Sequence, residues 1–512
     1  MTTPAFILEV NTRVWLRRLG EGKPLPLDDV ADSILDTWKN QGFDAIWLMG
    51  VWHPSDEGAE IARNHEGLQR EFRETLSDLN PQQDITGSPY AVADYRVRED
   101  IGGNEGLARF RDRLRKRGLR LILDFVPNHT AIDHPWVFEH PEWYVQGYPD
   151  DKYNARGFGV ETDEGERVIC HGKDPYFPPW TDTAQLDYRN PELQEALRDL
   201  LKQLAAMCDG VRCDMAMLVL SEVFGRTWGS HPEEFWPRAI YETRIANPEF
   251  LFMAEVYWGK DRELLDMGFN LTYDKVPLDH AVHGPLWDRN LFDLPESEHR
   301  HRVRFLENHD EPRIASRVEQ QRACAAAGWL FSLPTTRLLY EGQLDGAKVR
   351  PPVQLLRAPE EPVDEAVRAF YDKLLAMLKA PAIRNGDWSL LETRSAWQGN
   401  ESHTRILGQA YDYYDEHTRI FVNWAEHRSQ CWVDVKFGDL HGREVVLRDS
   451  LNGLSYVRDG VELMMRGLYL DVPPWHVHVF KCEVREQSKR PYHSDSDHPS
   501  MPDTELFSKR FK

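Results

Sequence analysis

A rhythm constrains the fold more than any other feature of this sequence: short apolar runs alternate with longer amphipathic stretches. "FILEVNT" (Phe6 to Thr12) reads as a strand, "DDVADSILDTWKNQGF" as a helix and "DAIWLMGVW" as the next strand. "NEGLARFRDRLRKRGL" is a helix with a basic outer face and a glycine near its end. "RLILDFVPNHT" follows it as a strongly apolar strand, with "DGVRCDM", "FLFMAEVYW" and "RVRFLENHD" further on and "FNLTYDK" and "TTRLLYEGQ" as weaker strand patterns. Strands that alternate with helices pair in parallel through βαβ units. About eight such units in roughly 380 residues point to a closed (β/α)8 TIM barrel rather than an open sheet.

The rhythm breaks twice. Between Thr130 and Asp187 lies a Pro-, Gly- and aromatic-rich insertion that includes "HGKDPYFPPW". Insertions after barrel strands commonly build binding sites. From about Trp388 the segments "TRIFVNWA", "QCWVDVKF", "REVVLRDS" and "HVHVFKC" have strand character with no helices between them. They read as a separate C-terminal antiparallel β-sandwich. The expected division is a barrel over 1–130 and 188–387, an inserted subdomain over 131–187, a β domain over 388–485 and a polar tail over 486–512.

Composition narrows the function. A formal net charge of −22 argues against a nucleic-acid partner, which requires a basic surface. It suits a neutral or cationic ligand, or one held by hydrogen bonds and stacking. The six cysteines (Cys170, Cys208, Cys213, Cys324, Cys431, Cys482) form no C-x-x-C pattern, so neither a zinc site nor a dense disulfide framework is indicated. The start "MTTPAFILEVNTRVWL" lacks a signal-peptide layout, and no apolar run approaches bilayer length. The expectation is a reduced cytoplasmic protein with no membrane partner; no oligomeric state is read from the sequence.

Polar residues gather where the apolar runs stop. Asp124, Asn128 and His129 end one run, Arg212 and Asp214 another; Glu255 closes "FLFMAE", and Asn308, His309 and Asp310 close "RVRFLE". In a strand, residues two apart share a face, so Arg212 and Asp214 point the same way. They are either a buried pair that neutralises itself or a charged device aimed into a cavity. Taken singly, Glu255 reads equally as an ordinary buried acid, Asp124 as a structural acceptor and "NHD" as a strand cap. Their succession at predicted strand ends favours convergence on one barrel rim, where active sites sit. Two carboxyl groups in differently tuned environments are what glycoside hydrolysis requires. Arg212 is placed to keep Asp214 ionised, and Glu255 is the candidate for holding a proton near neutrality.

At this point the sequence resembles the α-amylase superfamily, glycoside hydrolase family 13. "DFVPNH", "GVRCD", "FMAEVYW" and "FLENHD" look like that family's four conserved regions, in order, and "GFDAIWL" and "GSPYAVADYRV" match its second strand and the following loop. The resemblance covers roughly residues 5 to 480. It implies that Asp214 is the nucleophile, Glu255 the general acid/base and Asp310 the third carboxylate, with Arg212 orienting the nucleophile. His129 and His309 would hydrogen-bond the sugar before the cut, and Tyr90 would stack beneath it. The implied activity is retaining hydrolysis of α-glucans or malto-oligosaccharides by double displacement. The alternatives are an α-glucan or sucrose transglycosylase or phosphorylase and, from another class, a non-catalytic carbohydrate-binding relative; such relatives lose the acids that this chain keeps.

Two departures matter. Many α-amylases have a Lys-His pair shortly after the nucleophile, and the matching positions here are Met217 and Leu218. That loss removes contacts on the leaving-group side and leaves room for an exo-glucosidase or a transglycosylase. The family's frequent calcium site pairs an asparagine, matched by Asn128, with an aspartate whose ungapped match is Gln185 and whose shifted match is Asp187. Calcium prefers several charged oxygens, so no metal or other cofactor is expected. Trp52, Tyr176, Phe177, Trp180 and Trp258 fall in or beside rim loops, as sugar platforms or as packing under the loops.

Overall fold

The computed structural model describes residues 5–162 and 165–486, so the polar tail expected at 486–512 lies outside the described residues from 487 onward. Eight parallel strands close a barrel: β1 Phe6–Asn11, β2 Ala45–Met49, β3 Arg120–Phe125, β4 Gly210–Cys213, β5 Leu251–Ala254, β6 Leu271–Tyr273, β7 Arg302–Arg304 and β8 Thr336–Tyr340. Closure runs through β1 and β8, with Phe6 opposite Arg337 and Glu9 opposite Tyr340. Strands buried on both faces need near-continuous apolar sequence, and β2, "AIWLM", is buried throughout. The two weakly patterned runs became β6 and β8, full members of the barrel.

Helices cover the outside, among them α1 Asp32–Gln41, α2 Gly103–Lys116 and α3 Pro191–Met207. Leu107, Phe110 and Leu114 of α2 face the barrel. The arginines on the outer face of this helix are paired with acids. Arg109 pairs with Asp28, Arg113 with Asp32 and Arg117 with Asp36, a ladder at four-residue spacing along the α1 side. The acids that match these arginines come from a different segment, Asp28 to Asp36.

After β3 the chain leaves the barrel through a narrow neck, in which His129–Ala131 pairs antiparallel with Thr183–Gln185. The excursion carries a hairpin of Gly157–Thr162 and Gly165–Cys170. C-terminal to the barrel, antiparallel strands form a six-stranded and a three-stranded sheet around a core that includes Phe421, Val445, Leu470 and Phe480. This β domain docks on the barrel's outer layer: Trp424 stacks on Trp287 at 3.9 Å, and Tyr411 donates to the Ser332 carbonyl at 2.6 Å. All six cysteines are free. Among the described residues no helix is long and apolar enough to cross a membrane.

Candidate active site

Strand register creates the first part of the site. Arg212 in β4 lies opposite Asp124 of β3 and Met253 of β5, so residues just past β4 and β5 meet above it. Its guanidinium reaches Asp214 Oδ1 at 2.6 Å through Nη1 and Glu255 Oε2 at 2.8 Å through Nη2, with Asp124 Oδ1 3.8 Å away. The rings of Trp47, Tyr90 and Tyr273 surround it at 5.2, 5.1 and 5.9 Å. One fully buried cation therefore faces three acids. A balanced ion pair would need one carboxylate; the surplus must be stabilised by something else or be partly protonated.

The acids are tuned apart. Burial pushes Glu255 up to about 7, against the lowering pull of Arg212, and the nearby Asp214 and Asp310 charges add to the rise. Its Oε2 accepts from both Arg212 and the Met215 amide (2.8 Å), while Oε1 takes a hydrogen bond from the Tyr257 hydroxyl at 3.0 Å. A proton carried by Glu255 therefore belongs on Oε1. Met215 holds this geometry at φ +40°, a left-handed conformation costly for a residue with a Cβ. Burial leaves Asp214 raised as well, although the Arg212 charge and its short hydrogen bond limit that rise. Asp124, whose Oδ1 accepts from Trp47 Nε1 at 3.2 Å, is raised to about 7 by burial.

A second cluster adjoins the first. Asp310 keeps 47 % of its side chain exposed, and its Oδ2 lies 2.9 Å from His309 Nε2. On the other ring nitrogen, His309 Nδ1 meets Glu9 Oε1 at 2.5 Å, with both side chains fully buried. Burial would lower His309, but Asp310 and Glu9 raise it to about 10, so it is an imidazolium at neutral pH. That charge outweighs desolvation at Asp310 and brings the acid down to about 2. The Tyr90 hydroxyl lies 2.7 Å from His309 Nε2, with the two rings stacked at 5.2 Å. His129 stands apart from the acids. Its Nε2 reaches the Tyr90 carbonyl at 3.1 Å, its ring packs near Trp180 at 5.2 Å, and burial pushes it down to about 4, which keeps it neutral.

Glu9 and Tyr257 escaped sequence reading. Glu9 is a lone acid in the apolar run "FILEVNT", and its partner lies 300 residues away. Its only signal was that a charged residue in a doubly buried strand needs a partner. Among the expected platforms, Trp52 is core: it is 1 % exposed and donates through Nε1 to the Asp124 carbonyl. Tyr176, Phe177 and Trp258 are exposed, and Tyr176 meets Trp258 edge-on at 5.0 Å. Met217 and Leu218 are buried, so this turn presents no polar groups in place of a Lys-His pair.

The calcium-site positions do not fit a hard cation. Gln185 Nε2 donates to the Asn128 carbonyl at 2.9 Å and to its Oδ1 at 3.0 Å, and Asn128 Nδ2 donates back to Gln185 Oε1 at 3.2 Å. The two amides occupy each other and carry no charge. Asp187 is engaged elsewhere, in a two-pronged pair with Arg189 at 2.7 Å on each oxygen.

On the opposite flank the segment after β8 is strapped to the one after β2. Arg350 donates to the His309 carbonyl at 3.1 Å and pairs with Glu71 at 2.8 Å. Arg357 pairs with Asp84 at 2.8 Å and with Asp78 at 3.0 Å.

The family model described as "Alpha amylase, catalytic domain" matches residues 30–351. The chain is 28 % identical over 357 residues to the α-amylase MalA of Haloarcula japonica, covering 68 % of this chain but only 45 % of that protein. It is 24 % identical over 476 residues to the probable oligo-1,6-glucosidase 2 of Bacillus subtilis, covering 78 % of this chain and 72 % of that one. Among solved structures, the maltogenic α-amylase AmyB of Thermotoga neapolitana superposes with a TM-score of 0.67 at 18 % identity, over 94 % of this chain and 99 % of the other.

Proposed function

The chain belongs to the α-amylase family, and on that premise we propose that it is a retaining α-glycosidase acting on short α-glucans by double displacement. The observation that carries this reading is three acids, Asp214, Glu255 and Asp124, around the single Arg212 guanidinium, with the half-exposed Asp310 beside them. Asp214 and Glu255 sit on the two arms of one guanidinium, which suits the roughly 5–5.5 Å separation of a retaining pair. Glu255, poised near neutrality, protonates the glycosidic oxygen from Oε1 while Asp214, held anionic by Arg212, attacks the anomeric carbon. Positive charge that develops on the sugar is met by the anionic pair and by Asp310. Glu255, now a base, draws a proton from water, and water resolves the ester.

Glu9 acts through His309: it holds the imidazolium in place and charged, so that His309 in turn fixes Asp310, whose exposed carboxylate accepts from the sugar hydroxyls. His129, neutral and fixed between the Tyr90 carbonyl and the Asn128 amide, holds the Tyr90 backbone in place, with Tyr90 as the stacking face. Arg350 ties the His309 backbone to Glu71, and the turn after Asp214 carries Met217 and Leu218 in place of a Lys-His pair; both favour short substrates and chain ends over internal bonds. No calcium is required, since the Asn128–Gln185 amides fill the family's site.

A second reading rests on the open flank. Tyr176, Phe177 and Trp258 stand exposed in the insertion and the segment after β5, where an acceptor sugar would stack, so transfer to a sugar competes with hydrolysis. Incubation with maltotriose, isomaltose and sucrose, with and without phosphate, tests both readings through product size and anomeric form. The expected first product is the α-anomer. Early β-anomer release contradicts retention, and longer oligosaccharides or a sugar phosphate favour transfer.

A further inference from the structure

The two oxygens of Glu255 are held differently, and backbone strain stands behind both. Oε2 accepts from the Arg212 guanidinium and from the Met215 amide, each at 2.8 Å. Among the described residues Oε1 accepts from one group, the Tyr257 hydroxyl at 3.0 Å. Met215 is left-handed at φ +40°. Tyr257 opens a tight turn in which Trp258 and Gly259 are left-handed as well, at φ +60° and +69°, closed by the Lys260 amide on the Tyr257 carbonyl at 3.2 Å. Lys260 is fixed in turn by Glu222 and, at 2.9 Å, by Glu263. Left-handed methionine and tryptophan persist only where their surroundings over-determine them, and such positions cluster at functional sites.

Packing alone does not account for the hydroxyl. The Tyr257 ring packs against the barrel core, and a phenylalanine would fill the same place. Burial, then the charges of Glu255 and Asp310, hold the phenol far above its ordinary range, so it keeps a hydrogen to donate. A donor on a carboxyl oxygen stabilises the anion more than the acid. Around Glu255, burial favours the proton, Arg212 and the Met215 amide favour the anion, and Asp214 and Asp310 favour the proton again; Tyr273, from β6, also faces it. Double displacement changes that balance. Once Asp214 is esterified its charge is gone, and the carboxylate left on Glu255 must serve water as a base.

We propose that Tyr257 is a positioning residue: its hydroxyl fixes the proton of Glu255 on Oε1 and limits how tightly that proton is held, so that one carboxyl group serves as acid in the first half-reaction and as base in the second. The two half-reactions rest on the function proposed above; the effect of the hydroxyl on proton affinity does not.

Infrared difference titration of the carboxylic-acid band in the full chain, with Glu255→Gln as the assignment blank, tests the proposal without turnover. In the parent the band should disappear around pH 7. In Tyr257→Phe its midpoint should move up by about one pH unit. Introducing 3,5-difluorotyrosine at position 257, a stronger donor, should move it below the parent's. The alkaline limb of kcat/KM on maltotriose should follow both shifts. On α-glucosyl fluoride, whose leaving group needs no acid, kcat/KM should stay within about twofold of the parent. An unmoved midpoint in either variant, a downward shift in Tyr257→Phe, or an equal loss of rate on both substrates would overturn the proposal and leave Tyr257 to packing. A parent that titrates as expected but cleaves no α-glucoside would instead count against the proposed function.

Discussion

Two buried arginines on different barrel strands, β4 and β7, make an instructive pair. Arg212, in β4, faces Asp214, Glu255 and Asp124 at the mouth. Arg304, in β7, is equally buried but bonds a single acid, Asp274, at 2.8 Å, and a histidine, His299, at 2.8 Å. Arg302 approaches the same Asp274 and also Asp261, each at 3.6 Å, so here two cations meet two acids. Burial and the neighbouring guanidinium push His299 down to about 3, which leaves it a neutral acceptor whose ring packs edge-on against Trp388 of the β domain. The wall site is satisfied with what it has. The mouth is not: it holds more negative charge than one guanidinium can neutralise, and burial drives two of its acids up to about 7. Charge that merely stabilises a fold is balanced locally; an uncompensated surplus in a cleft is a site waiting for a substrate.

The contrast breaks or sharpens under mutation, and the largest effect is expected at Asp214. Asp214→Asn should lower turnover by on the order of 10^4-fold or more while the melting temperature holds or rises, because the surplus charge falls. Initial rates and a thermal melt check this, and turnover within tenfold of the parent would erase the distinction between mouth and wall. Glu255→Gln should cost about 10^2–10^4-fold. The parent's rate should fall as pH rises past about 7, where Glu255 loses its proton, and the variant should lack that limb. Stability follows the same group. Its folded value lies above its ordinary one, so its contribution is full below about pH 4.5 and is lost as pH rises through about 7; Glu255→Gln should flatten that decline in chemical denaturation across the range.

At the wall the effect should change kind. Asp274→Asn leaves Arg304 buried without its carboxylate and should cost about 3–5 kcal/mol of stability, measured by denaturant unfolding, with the turnover of the remaining folded enzyme close to the parent's. A selective loss of turnover there would mean that the two arginines do not differ as argued.

Sequence legibility follows the same division. The mouth could be read because its polar residues interrupt apolar runs at strand ends; Arg212, Asp214, Glu255 and Asp310 stand out against their neighbours. What could not be read depends on partners distant in the chain. Glu9 looked like a stray acid until His309 stood beside it, the partners of Arg109 and Arg113 on α2 came from Asp28 and Asp32, 81 residues away, and Trp52 looked like a rim aromatic until Asp124 accepted its N–H. β6 and β7 are three residues long, so their pairing is set by the barrel around them rather than by local propensity.

Smaller effects complete the series. Glu9→Gln removes one of the two carboxylates that keep His309 charged, so His309 should titrate lower than about 10. KM should rise several-fold at pH 8–9 and little at pH 6, where the imidazolium survives on Asp310 alone; a loss equal at both pH values would assign Glu9 to packing only. Prolonged chelation with EDTA should change neither rate nor melting temperature, since Asn128 and Gln185 satisfy each other. A drop restored by calcium would contradict that arrangement.

The most direct measurement of the central claim is a trapping experiment. Glu255→Gln incubated with α-glucosyl fluoride, whose leaving group needs no acid, should accumulate a glucosyl ester that mass spectrometry of the digested protein places on Asp214. A label on any other residue, or none while fluoride is released, would contradict the account.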